Sequence, residues 1–142
     1  MKVREVMTPA PIHMHKDETV AVAARTLTHY NIGAVPVCGN GGRLCGLVTD
    51  RDMVTRCLAA GKDPKTTTIA EVMSTGIISV PPDAETAQAA KLMGERQIRR
   101  LAVVENGILC GMLSLGDLAT NRQADEQAGQ ALQQISSNIS AR

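Results

Sequence analysis

The sequence predicts an α+β fold made of two consecutive βαββα units, and three observations carry that prediction. First, the chain repeats itself. Shifted by 66 residues, Glu5-Val6-Met7-Thr8 falls on Glu71-Val72-Met73-Ser74, Ile12 on Ile78, Asp17 on Asp83, Ala23-Ala24 on Ala89-Ala90, Leu27 on Met93, Ile32 on Ile98, Val37 on Val103 and Asn40-Gly41 on Asn106-Gly107. After a one-residue deletion in a glycine-rich turn, Leu44-Cys45-Gly46 falls on Leu109-Cys110-Gly111, Thr49 on Ser114 and Asp52 on Asp117. Insertions are tolerated at such turns, so the shift of register supports a tandem duplication. Second, each copy holds one segment with apolar residues at helical spacing. Third, each holds two β-rich runs joined through Asn-Gly, the dipeptide that favours a tight hairpin.

The elements follow in the same order in both copies. A short extended stretch (11–14, 77–80) precedes Asp17 or Asp83, residues suited to a helix start. Val20, Ala23, Ala24, Leu27 and Tyr30, matched by Thr86, Ala89, Ala90 and Met93, predict a helix burying one stripe, with alanines permitting close packing. Residues 34–38 with 44–48, and 101–104 with 109–113, predict the hairpins. Residues 53–60 read as a second helix ended by Gly61, and Leu118 onward reads likewise. The linker 62–68 carries Pro64 and three consecutive threonines. These units divide the chain into repeat 1 (1–64), repeat 2 (65–121) and a polar, Gln-rich tail (122–142). In the tail, Ala128, Leu132, Ile135 and Ile139 are spaced for a short amphipathic helix, able to dock on its own module or on a second subunit, or else to fray.

Composition narrows the function. A length of 142 residues suits one compact unit, and 44% apolar with 20% charged residues supports a buried core. No apolar run approaches the roughly 18 residues of a spanning helix, and no apolar region follows the charged start, which predicts a cytoplasmic protein without membrane contact. A net charge of +1 and a single aromatic, Tyr30, provide neither a basic footprint nor a stacking platform for nucleic acid. Cys38, Cys45, Cys57 and Cys110 form no Cys-x-x-Cys pair and read as buried thiols, so neither a metal site nor a disulfide is expected. His13 and His15 share a face if their stretch is a strand, but lack a third ligand. No phosphate-loop, dinucleotide-fold, serine-nucleophile or zinc-protease motif is present, and no catalytic residue or catalytic cofactor is expected. The glycines at 39–42 lie inside a hairpin, as turn residues and not as a phosphate loop.

The ordered duplication of Val6-Met7-Thr8-Pro9 and Val72-Met73-Ser74, followed by Gly46-Leu47-Val48-Thr49-Asp50-Arg51-Asp52 and Gly111-Met112-Leu113-Ser114-Leu115-Gly116-Asp117, resembles a tandem CBS-domain pair, or Bateman module, over about residues 1–121. That resemblance implies two repeats related by a pseudo-twofold axis and packed through their sheets, with clefts between the copies that commonly take AMP, ADP or ATP. It also implies further dimerisation. The Thr/Ser-x-x-Asp spacing lies where a strand meets a helix. One reading gives a hydroxyl at Thr49 or Ser114 and free backbone amides for a phosphate, with Asp52 or Asp117 accepting from ribose hydroxyls. The other is a plain helix cap. Arg99 and Arg100 stand where the family places a basic pair for phosphates, which guanidinium forks suit, unless they are solvated surface residues. In copy 1 those positions are Gly33 and Ala34, so the two sites are expected to be unequal. Adenine would lie among Ile12, Ile32, Ile78, Val80 and Ile98, each equally explicable as core.

Three functional classes follow. The first is a regulatory module, not an enzyme, that senses adenine nucleotide, forms a homodimer and signals to an effector protein by changing shape. The second is a structural dimerisation module with empty clefts. The third is a metal or redox sensor using His13, His15 and the cysteines.

Overall fold

The computed structural model describes residues 1–120 and 125–140. Two compact units are present, and one of them is assembled from two separate pieces of chain. Unit 1 combines Met1–Pro11 with the chain from Ile78 onward, and unit 2 is Ile12–Ile77.

In unit 2, β2 (Met14–His15) pairs in parallel with β3 (Ala34–Cys38), which pairs antiparallel with β4 (Leu44–Thr49). Helix α1 (Val20–Tyr30) runs between β2 and β3. It starts at Thr19, whose hydroxyl accepts from the Val22 amide, and ends at Asn31 in the left-handed region. Helix α2 (Asp50–Met53) continues into a π-helical turn, Val54–Leu58, and Gly61 follows with φ +73°. The linker is not loose. The Thr67 and Pro64 carbonyls accept from Val20 and Ala21 N–H, and Thr67 is buried. A short helix, α3 (Ile69–Val72), then leads to Ser74.

Unit 1 repeats this plan with β5 (Ser79–Val80), α4 (Thr86–Arg96), β6 (Arg100–Glu105), β7 (Ile108–Ser114) and α5 (Leu115–Ala119). The Asn106-Gly107 turn has φ of +53° and +82°, as an Asn-Gly hairpin requires. Its sheet carries a fourth strand, β1 (Thr8–Pro9), giving the order β1-β7-β6-β5. The Thr8–Met112 pair of β1 and β7 has its counterpart in unit 2 in the Leu47–Ser74 bridge. The leading segment of each repeat is therefore an edge partner for the hairpin of the other. Residues 1–5 are tied to unit 1 by backbone bonds to Ala84 and Pro82 and by ion pairs of Lys2 and the Met1 ammonium with Glu85. The Lys2 ammonium, through its hydrogen bond and charge, holds the Glu85 carboxyl below its ordinary range.

Several expectations are corrected. Asp17 and Asp83 precede the helices without capping them, because Thr19 and Glu85 sit directly before the first helical residue. Asp17 instead pairs with His15, and Asp83 with Arg4. The extended stretches shrink to two-residue strands at 14–15 and 79–80, and the second helix starts at Asp50, ahead of Met53. Val20, Ala23 and Leu27 are buried, but Ala24 is exposed and Tyr30 is half exposed, whereas Ala89, Ala90 and Met93 are all buried. The difference has a visible cause. Helix α6 (Asp125–Ser140) packs on α4 and α5 and buries Ala128, Ala131 and Ile135 in the core of unit 1. The tail is thus a helix docked on its own unit, with Ala131 inside and Leu132 outside; the side chain of Ile139 lies outside the described residues.

Gly46 and Gly111 hold equivalent places beneath the leading segments. A β-carbon at Gly46 would come 2.5 Å from the Ser74 carbonyl and 2.9 Å from Met73 Sδ, and one at Gly111 would strike Met7 and come 3.1 Å from the Thr8 carbonyl. Gly46→Ala therefore forces backbone apart, and urea unfolding should show a loss of about 1–3 kcal/mol. A loss below about 0.5 kcal/mol would mean that the segment shifts freely.

Candidate functional site

The duplicated Thr/Ser-x-x-Asp motif makes a matched pair of corners, one in each unit. In unit 2, Thr49 Oγ1 accepts from the Asp52 amide (3.0 Å) and Asp52 Oδ2 accepts from the Thr49 amide (3.0 Å). In unit 1, Ser114 Oγ accepts from the Asp117 amide (3.0 Å) and Asp117 Oδ2 accepts from the Ser114 amide (2.8 Å). Both are capping boxes, which satisfy two otherwise unpaired helix-start donors. The hydroxyls thus accept as caps and keep their O–H to donate. The carboxylates keep capacity as well. Each has about four lone-pair positions, and the box fills one. Asp52 is buried and Asp117 half-buried, so each is held in one orientation.

The surroundings of the two carboxylates differ. In unit 2 the Ser74 hydroxyl lies 3.4 and 3.5 Å from the Asp52 oxygens, and Ser74 exchanges both backbone hydrogen bonds with Leu47 (2.8 and 3.0 Å). Arg56 Nη1 donates to the Val72 and Met73 carbonyls and so fixes the segment that presents Ser74. In unit 1, Arg100 stands opposite Ser114 across the β6–β7 pair, and the Arg99 carbonyl accepts from the Leu115 amide at 2.9 Å. Both arginines are exposed, and among the described residues neither makes an ion pair. In unit 2 Ala34 stands opposite Thr49, and the Gly33 carbonyl accepts from the Asp50 amide at 3.0 Å.

The aliphatic candidates fall into three groups. Ile32 is half-buried against the core of unit 2, and Ile78 and Ile98 against that of unit 1. Val80 is 7% exposed, paired with Val103 in the sheet, and is core. Ile12 is 39% exposed.

Sequence reasoning passed over Ser74, Asp50 and Arg56. Ser74 and Asp50 are visible in the alignment of the copies, as the partner of Thr8 and as an aspartate facing Leu115. Arg56 had no local signal.

His15 lies in β2, 3.1 Å from the Asn40 side-chain oxygen and 3.6 Å from Asp17, and His13 lies outside the strand. Among the described residues no group of three or more His, Cys, Asp or Glu is placed to hold a metal ion. Cys38 and Cys57 are buried, while Cys45 and Cys110 are half-buried. Burial pushes the Cys38 and Cys110 thiols up, away from the reactive thiolate. No helix among the described residues is long and apolar enough to cross a membrane.

The capping geometry gives a direct test. Thr49→Ala should cost about 0.5–2 kcal/mol in urea unfolding, and Thr49→Ser, which keeps the acceptor, only a small part of that. Equal losses would show that the methyl group and not the cap matters.

The family model described as "CBS domain" matches residues 3–59 and 69–123. The chain is 40% identical over 134 residues to the CBS domain-containing protein YhcV of Bacillus subtilis, covering 94% of each. The crystal structure of Hypoxic Response Protein I with two coordinated zinc ions superimposes with a TM-score of 0.78 at 35% identity, over 85% of this chain and 98% of that one. The domain pair of protein MJ0100, in complex with 5′-methylthioadenosine and S-adenosyl-L-methionine, superimposes with a TM-score of 0.72 at 26% identity, over 84% and 94% of the two chains.

Proposed function

This chain belongs to the CBS-domain family, and on that premise we propose that it is a regulatory module that binds an adenine nucleotide, AMP, ADP or ATP, and signals to a partner protein through a change of conformation. The observation that carries this reading is the pair of oriented carboxylates, Asp52 and Asp117. Each is fixed by its own capping box at the same place in a duplicated unit, with acceptor positions to spare. Two neighbouring ribose hydroxyls are donors that such a carboxylate satisfies. The adenosine compounds bound by the related MJ0100 pair support the ligand class. Phosphates fall to Arg99 and Arg100, the exposed cations of the unit 1 corner. No general acid, base or nucleophile is needed, since such a module acts by binding one conformation better than another.

Isothermal titration of the full chain with AMP and ATP tests this. Asp52→Ala and Asp117→Ala should each weaken a different binding event about tenfold or more, the equivalent of about 1.5–3 kcal/mol for hydrogen bonds to a charged group. Arg99→Ala with Arg100→Ala should weaken nucleotide binding strongly and leave a non-phosphorylated adenosine unaffected. Absence of any binding by the wild type would leave the structural dimerisation module with empty clefts as the better reading, and unchanged titrations in all these variants would remove these residues from the site.

A homodimer belongs to the same proposal. Tyr30, Val54 and Leu58 of unit 2 are 50%, 55% and 61% exposed, large apolar residues on helical segments. Light scattering at micromolar concentration should return twice the 15.0 kDa chain mass. A single-chain mass with and without nucleotide would count against it.

A further inference from the structure

We propose that Asp50 is a specificity-determining residue: it makes the unit 2 corner select an adenosine whose 5′ substituent is cationic or uncharged, while phosphorylated adenosine belongs at the arginine-bearing corner of unit 1. The inference rests on the reading of Asp52 and Asp117 as ribose-binding carboxylates.

In unit 1, the residue before β6 is Arg99 and the residue after Ser114 is Leu115. Leu115 is 5% exposed and its amide donates to the Arg99 carbonyl. In unit 2, the same two places are taken by Gly33 and Asp50, joined by the same backbone bond. The charge has not merely been lost; it has changed sign and side. A β-carbon on Gly33 would lie 3.6 Å from Asp50 Oδ2, so the carboxylate stands where the side chain of residue 99 leaves the backbone in the other copy. The absence of a side chain at Gly33 leaves that space to Asp50. Asp50 is exposed, its Oδ1 accepts from the Arg51 amide at 2.8 Å, and it makes no ion pair among the described residues.

Arg51 is the one cation the motif adds here, against Gly116 in unit 1. Successive residues of a helix diverge by about 100°, so Arg51 does not share the direction of Asp50. Counting it in full still leaves the side chains at 33–34 and 50–52 with a net negative charge, and those at 99–100 and 115–117 with a net positive one. A ligand gripped by its ribose at Asp52 therefore meets a carboxylate where the same ligand at Asp117 meets guanidinium groups. A phosphate is repelled at the first and attracted at the second. A sulfonium or ammonium reverses both preferences, and a thioether is indifferent to the charge.

The test is titration of the full-length protein with three probes: AMP, S-adenosylmethionine and 5′-methylthioadenosine. Each is measured on the wild type, Asp50→Asn and Asp52→Ala. The event lost in Asp52→Ala identifies the unit 2 site. At that site Asp50→Asn should tighten AMP about fivefold, weaken S-adenosylmethionine about fivefold and move 5′-methylthioadenosine less than twofold, with the differences shrinking in high salt, which screens an exposed charge. If Asp52→Ala abolishes an event and Asp50→Asn alters all three probes alike, or none, the selectivity inference is wrong while the site stands. If Asp52→Ala leaves every event intact, or no probe binds the wild type, the ribose reading fails and this inference falls with it.

Discussion

The close approach of a backbone segment to a glycine in each hairpin is the constraint on which the rest of this structure depends. Ser74 can exchange two backbone hydrogen bonds with Leu47 only because Gly46 leaves room for its carbonyl, and Thr8 lies against β7 only because Gly111 does the same. Strand pairing of this kind sets a spacing of about 4.8 Å that a β-carbon in the wrong place prevents. Two consequences follow from one missing methyl group. The leading segment of each repeat becomes an edge partner of the other's hairpin, so unit 1 is assembled from two pieces of chain and unit 2 runs past its own repeat to Ile77. In unit 2, the Ser74 hydroxyl arrives beside the Asp52 carboxylate, so a constraint on packing also furnishes part of the candidate site.

The duplication did not leave two equal surfaces. Helix α4 has Gly94 where α1 has Thr28, and a β-carbon at Gly94 would come 3.4 Å from the Ala131 backbone and 2.5 Å from the end of the Gln134 side chain. That glycine lets α6 approach closely enough to bury Ala128, Ala131 and Ile135 against unit 1. Burial of a helix face at about 25 cal/mol per Å² of apolar area is the ordinary source of stability for such an element. Unit 2 has no equivalent cover within itself. Ala24 therefore stays exposed although its counterpart Ala90 is buried.

How much of this was legible in the sequence depended on whether the signal was local. The helices α1 and α4 and the Asn106-Gly107 hairpin follow from periodicity and turn chemistry within about a dozen residues. Helix starts were misplaced at Asp17 and Asp83 because aspartate suits turns as well as caps, and the turn before the helix took it. The buried stripe of α1 was read too wide by Ala24 and Tyr30, since helical spacing names a face but not its cover. The exchange of leading segments, the tie of the linker to α1 through Thr67, and the grip of Arg56 on α3 are contacts between distant residues that no window of sequence contains. At the site, the motif itself was legible as two competing readings, cap or ligand. The structure shows the hydroxyls capping and leaves the carboxylates with capacity, a division that spacing alone does not make.

That division bears on how such a module discriminates among ligands. On the proposed reading, a carboxylate already held by a backbone amide would lose little conformational freedom when a ribose binds, so the motif would supply affinity at a low ordering cost in either copy. An element identical in the two corners gives no preference between them, and none between ligands that share a ribose. Preference must come from residues that differ: Arg99 and Arg100 against Gly33 and Ala34, Leu115 against Asp50, and Thr8 against Ser74. These lie next to the motif and not in it, at positions where the cap imposes no choice of side chain. The stability of the corner is thereby separated from its selectivity. A duplicated gene can keep the first in both copies while the second drifts apart, and two unlike binding sites then arise on one fold without either losing its structure.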